Sequence, residues 1–258
     1  MPRRQLNIYA AWVSDMEITE YTVSALIPKP TVAAVIADIH DGAYEKVLEE
    51  VSAVAPDVIL IPGDIISGHG SDMKNSPDML SECARLAPTF MSLGNHEQNA
   101  LPLVRSAAEK AGVTLLEDSY VDFAGMHIGG LTSGFISQKA EQGFYKKTPA
   151  PNIEWLDSFA ALDGYKLLLC HHPEYYPEYI RGKNIDMTVS GHAHGGQWQI
   201  FGRGLFAPGQ GLFPKYTSGL IEERLVVSRG LANDYAIPRF FNPRELVIIH
   251  FESIKKSV

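Results

Sequence analysis

The stretch "TVAAVIADIHDGAYEKVLEEVSAV" (Thr31–Val54) holds the two signals that decide the fold. "TVAAVIAD" is an unbroken apolar, β-branched run, the pattern of a strand buried on both faces. "AYEKVLEEVSAV" follows at once, with its apolar residues at helical spacing. The same pairing recurs twice. "DVILIPGD" precedes the helix "PDMLSECARL", and "TFMSLGN" precedes "ALPLVRSAAEKAG", whose Gly112 marks a helix end. Alternation of this kind specifies an α/β fold with a largely parallel sheet.

The middle of the chain changes character. "VTLLED", "YVDFAG" and "MHIGGLTS" are short strands separated by turn signals, which predicts a meander rather than crossovers. "PNIEWLDSFAAL" restores a helix, and "YKLLLCHHP", "IDMTVSGHAHGG", "RLVVSRG" and "RELVIIHFE" supply further strands. Two sheets packed face to face, with helices outside, use all these pieces. No repeat, low-complexity stretch or linker divides the sequence, so residues 1–258 are expected to form one domain.

Composition narrows the function. With 45% apolar residues the chain can bury a proper core, and its net charge of −8 argues against a stable nucleic-acid partner. Cys83 and Cys170 are the only cysteines, too few for a disulfide framework or a CxxC metal motif. No apolar run approaches the roughly 18 residues of a membrane-crossing helix. "MPRRQLNIYAAWV" lacks the sustained apolar region of a signal peptide. A cytoplasmic protein without a transmembrane segment is the expectation, with a peripheral membrane contact left open.

The chemistry sits at the strand ends. "VIADIH" ends in Asp38 and His40, "LIPGD" in Asp64, and "MSLGNHE" in Asn95, His96 and Glu97. "LLLCHH" ends in His171 and His172, and "VSGHAH" in His192 and His194, bracketed by Gly191, Gly195 and Gly196. Each has an ordinary reading alone: an aspartate caps a helix or turn, and a single histidine is more often a satisfied core residue. Together they should converge, because ligands of open α/β sheets bind at the carboxyl ends of the strands. Buried carboxylates and imidazoles so crowded would stay unsatisfied without a cation. In "HAH" the two rings lie at i and i+2, on one side of an extended segment. Carboxylate, imidazole and amide ligands suit Mn, Fe or Zn, and the lack of thiolates argues against a structural zinc site. There are too many ligands for one ion. Two ions about 3.5–4 Å apart, sharing a carboxylate, would use them.

The series D-x-H, GD, GNHE, H-x-P and GHxH, running from Asp38 to His194 within a core of about residues 31–196, resembles the calcineurin-like metallophosphoesterases. The resemblance implies a four-layer α-β-β-α sandwich of two mixed sheets with flanking helices and a metal site at the strand C-terminal ends. It implies Asp38, His40 and His194 at a first metal, Asn95, His171 and His192 at a second, and Asp64 bridging both. His96 would bind no metal; it would meet the phosphate and assist the leaving oxygen while a metal-bound hydroxide attacks. "CHHP" offers two histidines, and the family's His-x-Pro pattern selects His171, leaving His172 beside it. Where the family often has GD-x-V-D this chain has "GDII", a departure that touches no ligand. "SGHAHGGQ", "SRG" and "PRFFNPRELVII" are similar to a bacterial branch that includes YkuE-like proteins and enzymes that cleave UDP-2,3-diacylglucosamine. Many members of that branch begin with a membrane helix, which this sequence does not show.

The expected activity is a dinuclear metal-dependent phosphoesterase, a phosphodiesterase or pyrophosphatase, with Mn as first choice of ion and Fe or Zn as competitors. Its partner would be a phosphorylated small molecule or a nucleotide-linked lipid. The alternatives are a phosphomonoesterase of small metabolites or proteins and, against an intact ligand set and His96, an inactive metal-binding scaffold. A serine or thiol hydrolase lacks support, since there is no GxSxG and no recognisable nucleophilic cysteine. The Gly-rich loop 198–218 carries Trp198, Phe201, Phe206, Phe213 and Tyr216 and reads as a hairpin covering the sandwich edge, with its aromatics underneath. Arg203, Lys215, Arg229 and Arg239 could pair a second phosphate, although solvated surface is the plainer reading of each. His69 reads as a loop residue, and His127 and His250 as structural.

Overall fold

The computed structural model describes residues 16–67, 73–133, 148–232 and 238–254. One six-stranded sheet holds β1 (Glu17–Ala25), β2 (Thr31–Val35), β3 (Val58–Ile61), β4 (Thr89–Ser92), β5 (Thr114–Leu116) and β16 (Glu245–Ser253), in the order β1-β16-β2-β3-β4-β5. The strands from β2 to β5 are parallel, and β16 runs antiparallel to β2. A second sheet holds β6 (Ser119–Phe123), β7 (Met126–Leu131), β8 (Tyr165–Cys170), β9 (Met187–Ser190), β14 (Gly219–Ile221) and β15 (Leu225–Val227), in the order β14-β15-β9-β8-β7-β6. Its four inner strands are parallel and its two edge strands antiparallel.

Side chains alternate across each strand, and here both faces are buried. Ala33, Val35, Leu60 and Val247 of the first sheet meet Leu167, Leu169, Val189 and Val226 of the second in one core. The opposite face of the first sheet, with Ile36, Ile59 and Met91, packs on α1 (Glu45–Val54), α2 (Ser76–Leu86) and α3 (Leu101–Ala111). Leu168 and Cys170 turn outward onto Leu156 and Phe159 of α4 (Ile153–Ala160). The result is a four-layer α-β-β-α sandwich of two mixed sheets. Local chemistry sets the helix ends. Asn152 accepts a hydrogen bond from the Trp155 amide at the start of α4, and Gly112, at φ 77°, closes α3.

The structure departs from the sequence reading in the middle. Only β6 and β7 form an antiparallel hairpin; β5 joins the first sheet, and β7 lies parallel to β8. The three strands are therefore no meander. "VTLL" completes one sheet, and the chain then crosses to open the other. Strand β1, absent from the sequence reading, pairs in parallel with β16 along its whole length. No helix among the described residues is long and apolar enough to cross a membrane. Cys83 and Cys170 are free and buried, and burial pushes the Cys83 thiol up to about 12. His69 and the N-terminal "MPRRQLNIYAAWV" lie outside the described residues.

Candidate metal centre

The parallel strands β2, β3 and β4 of one sheet and β8 and β9 of the other deliver their following residues to one end of the sandwich. Asp38, Asp64, His171, His192 and His194 are all buried there. His171 Nε2 lies 3.0 Å from Asp64 Oδ2 and 3.9 Å from Asp38 Oδ1. His194 Nε2 lies 3.7 Å from Asp38 Oδ1 and 3.4 Å from His40 Nε2. His96 Nε2 stands 3.7 Å from Asp64 Oδ2, with its side chain 16% exposed, at the mouth of the cluster. Asn95 ends in a buried side-chain oxygen with no hydrogen-bond partner among the described residues.

The backbone is bent to bring these groups inward. Asp38, His40, Asp64, His192 and His194 all have left-handed φ angles, between 47° and 64°. Non-glycine residues rarely adopt this region, and such strain persists where surrounding contacts enforce it. Two of those contacts are visible. The Asp38 carboxylate accepts a hydrogen bond from the His192 amide, at 3.0 and 3.1 Å to its two oxygens. Glu97, fully buried, accepts from the amides of Asp64, Ile65 and Gly94 at 2.9, 2.8 and 2.7 Å. Glu97 thus fixes the backbone that carries Asp64, and faces away from any ligand role. Glycine makes the close approaches feasible: a Cβ on Gly94 would overlap the Asp64 carboxylate, and one on Gly191 the Asp38 carboxylate.

Of the "HH" pair, His171 faces the two carboxylates. His172 turns away, with Nε2 2.6 Å from Ser133 Oγ and Nδ1 3.4 Å from Glu174. Glu174, which the sequence reading missed, also lies 3.8 Å from His192 Nε2 and accepts from Thr148 Oγ1 at 2.5 Å. Arg239 is likewise buried, against the surface reading. Its Nη2 lies 3.3 Å from His194 Nδ1 and donates to Ala232 O, while Nε and Nη1 are buried without partners among the described residues. Arg229 is held by Glu17 and Glu245 at 2.9 and 3.0 Å. His127 pairs with Asp122, and His250 with Glu20. The 198–218 loop does fold into hairpins, β10 (Gln199–Ile200) with β11 (Arg203–Gly204) and β12 (Phe206–Ala207) with β13 (Gly211–Leu212). Its aromatics do not all pack underneath, because Phe201, Phe213 and Trp198 are exposed.

Charge within the cluster is strongly polarised. Burial favours the neutral Asp64 carboxyl, but His171, His96 and His40 around it hold it well below the carboxylate range. Asp38 is pushed up, by burial first and by Asp64 beside it. Burial pulls His171 down, yet Asp64, Asp38 and Glu97 outweigh it and push the imidazole up to about 9. His192 and His194 are driven well below their ordinary value by burial and by the neighbouring cationic groups, so both offer neutral rings. Burial raises the carboxyl of Glu97 to about 7.

Asp38, His40 and His194 bring ligand atoms within 4.8 Å of one another, as do Asp64, His171 and His192. These two groups share no residue. His40, Asp64 and His96 form a further such group, and His172, Glu174 and His192 another. Buried carboxylates, neutral imidazoles and the orphaned Asn95 oxygen fit divalent cations of borderline hardness. A family model, the calcineurin-like phosphoesterases, matches residues 32–196, more than half of the chain. The chain belongs to the calcineurin-like phosphoesterase family. Among its relatives, a metallophosphoesterase of Campylobacter jejuni is 27% identical over 233 residues, covering 84% of this chain and 56% of the relative. The phosphodiesterase YaeI of Escherichia coli is 27% identical over 224 residues, covering 78% and 75%. A metallophosphoesterase of Aquifex aeolicus is 26% identical over 253 residues, covering 91% of each chain. The chain spans little more than half the length of the Campylobacter relative.

The family and its His/Asp clusters support divalent metal binding, and if His171 is a ligand its proton would make loading depend on pH. Ligation needs the neutral ring, so an incoming cation competes with a proton held up to about 9. Mn affinity is therefore expected to weaken as pH falls from 9 to 6, by up to about tenfold per unit for one displaced proton. Calorimetric titration in buffers of different ionisation enthalpy would read that proton. An affinity flat across the window would contradict the assignment.

Proposed function

We propose that this phosphoesterase is a dinuclear enzyme that cleaves phosphodiester or pyrophosphate bonds. The carrying observation is the pair of disjoint ligand groups, Asp38–His40–His194 and Asp64–His171–His192, at facing strand ends. In this reading the first group would hold one ion, His171 and His192 with Asn95 would hold the second, and Asp64 would serve both. Mn is the preferred ion, with Fe and Zn as competitors. When bound, two divalent ions supply Lewis-acid charge to the phosphoryl oxygens and lower the pKa of a coordinated water.

The chain's own residues do the rest. His96, at the mouth of the site, gives a proton to the leaving oxygen. Arg239, with two buried nitrogens that have no partner among the described residues, lies beside His194, holds a phosphoryl oxygen and opposes the charge that develops there. Glu97 keeps the Asp64 loop in its left-handed turn. The phosphodiesterase name of the Escherichia coli relative supports the diester over the monoester. The substrate class is a phosphorylated small molecule or nucleotide-linked lipid, met by one cytoplasmic domain.

The test compares bis(p-nitrophenyl) phosphate with p-nitrophenyl phosphate after chelation and reloading with Mn. The expected result is a higher kcat/KM on the diester. Preference for the monoester would redirect the reading to a phosphomonoesterase of metabolites or proteins, and inactivity on both with metal bound would favour a scaffold.

A further inference from the structure

Three turns beside the centre end in phenylalanine. Phe201, Phe213 and Phe241 are 102%, 79% and 75% exposed. All three also have left-handed backbone, with φ of 53°, 53° and 51°. Phenylalanine suits neither condition; glycine or asparagine would be the unstrained, soluble choice at each tip. Strained, exposed aromatics at three neighbouring turns indicate a surface kept for use rather than for stability.

Main-chain hydrogen bonds tie the three turns together. Leu205 N donates to Trp198 O at 2.8 Å, Phe213 N to Leu205 O at 2.9 Å, and Gln199 N to Phe240 O at 2.9 Å. The Trp198 and Phe240 rings lie 6.0 Å apart, and those of Phe240 and Phe241 4.3 Å apart. A cavity of about 410 Å³ opens beside them, lined among others by Arg203, Phe213 and Lys215. The charge on this face is one-sided. Residues 198–218 hold Arg203 and Lys215 and residues 238–244 the half-buried Arg244, and neither stretch contains Asp or Glu, in a chain of net charge −8. Arg203 and Lys215 are both exposed.

The face is also joined to the centre. Asn242 Nδ2, next to Phe241, donates to His194 O at 2.7 Å, and Leu205 N donates to Gly196 O at 3.1 Å. Projecting aromatic tips ringed by cations are what an anionic lipid interface recognises: rings enter the headgroup–acyl boundary while Arg and Lys stay with the phosphates. We propose that this face docks on an anionic lipid bilayer, with Phe201, Phe213 and Phe241 inserted and Arg203 and Lys215 on the headgroups. The proposal stands apart from the phosphoesterase reading, because it needs neither metal nor turnover.

The experiment is co-sedimentation of the full chain with vesicles of phosphatidylcholine containing about one quarter phosphatidylglycerol, against phosphatidylcholine alone. Wild type should bind the anionic vesicles about tenfold more tightly than the neutral ones. The triple variant F201N/F213N/F241N, which places a residue suited to left-handed backbone at each tip, should lose about tenfold or more in affinity while its Tm holds or rises. R203Q/K215Q should erase the preference for anionic vesicles. Failure of the wild type to bind, or equal binding by the triple asparagine variant, would overturn the proposal. So would a dimer, seen by sedimentation velocity without vesicles, that the triple variant dissolves, since the face would then belong to a second copy.

Discussion

Asp64→Asn is expected to strip metal from the centre and to lower phosphodiester turnover by about a thousandfold or more. Asp64 is the residue on which the cluster converges: His171 Nε2 lies 3.0 Å away, His96 Nε2 3.7 Å, and the His96 amide donates to its Oδ1 at 3.0 Å. The amide of asparagine keeps the volume but removes the charge. One ligand oxygen becomes an NH2 that cannot bind a cation, and His171 loses the first of the carboxylates that hold its proton. Atomic absorption after dialysis should find both ions depleted. Retention of two ions per chain would remove Asp64 from the bridging position, whatever the activity.

His96→Ala should separate chemistry from metal binding. Its ring is the most exposed of those around Asp64, at the mouth where the proposed leaving group would depart. Loss of a positioned general acid typically costs about a hundredfold to ten-thousandfold in kcat. Metal content should stay within error of wild type. The loss should depend on the leaving group, being small for p-nitrophenolate, which departs without a proton, and large for an alkoxide. An equal loss on both would make His96 an electrostatic partner of the phosphate rather than a proton donor. Loss of an ion would make it a ligand in the group it forms with His40 and Asp64.

The strands that carry the centre are legible in the sequence because burial on both faces leaves them unmixed. β2, β3, β4, β8 and β9 are four to six fully or almost fully buried residues, and a polar residue that enters the site follows each within three positions. β1 is hidden for the opposite reason. "EITEYTVSA" is an edge strand with one face open to water, and its partner β16 lies more than two hundred residues away. β5 is short, and nothing in "VTLLED" says which sheet it will join. The sequence marks Glu97 as a polar strand-end residue but not its role, since the Asp64 to Ile66 amides it accepts from are set by tertiary folding. Glu174 resembles the solvated Glu178 in "PEYYPEY" until His172 and His192 are seen against it. Nothing in "PRFFNPR" separates Arg239 from Arg244, and only the fold sends the Arg239 guanidinium to His194.

The left-handed backbone at five centre residues is the least legible feature. Asp, Asn and His tolerate that region better than most side chains, but the sequence does not say that a turn will demand it. Chemistry and conformation have converged there on the same residues.

The most direct test of the proposed two-ion centre is stepwise addition of Mn to the chelated protein, following bound metal and bis(p-nitrophenyl) phosphate hydrolysis in the same samples. Hydrolysis should rise with occupancy and saturate at two ions per chain. Full activity at one ion, or two bound ions without hydrolysis, would contradict a dinuclear phosphoesterase.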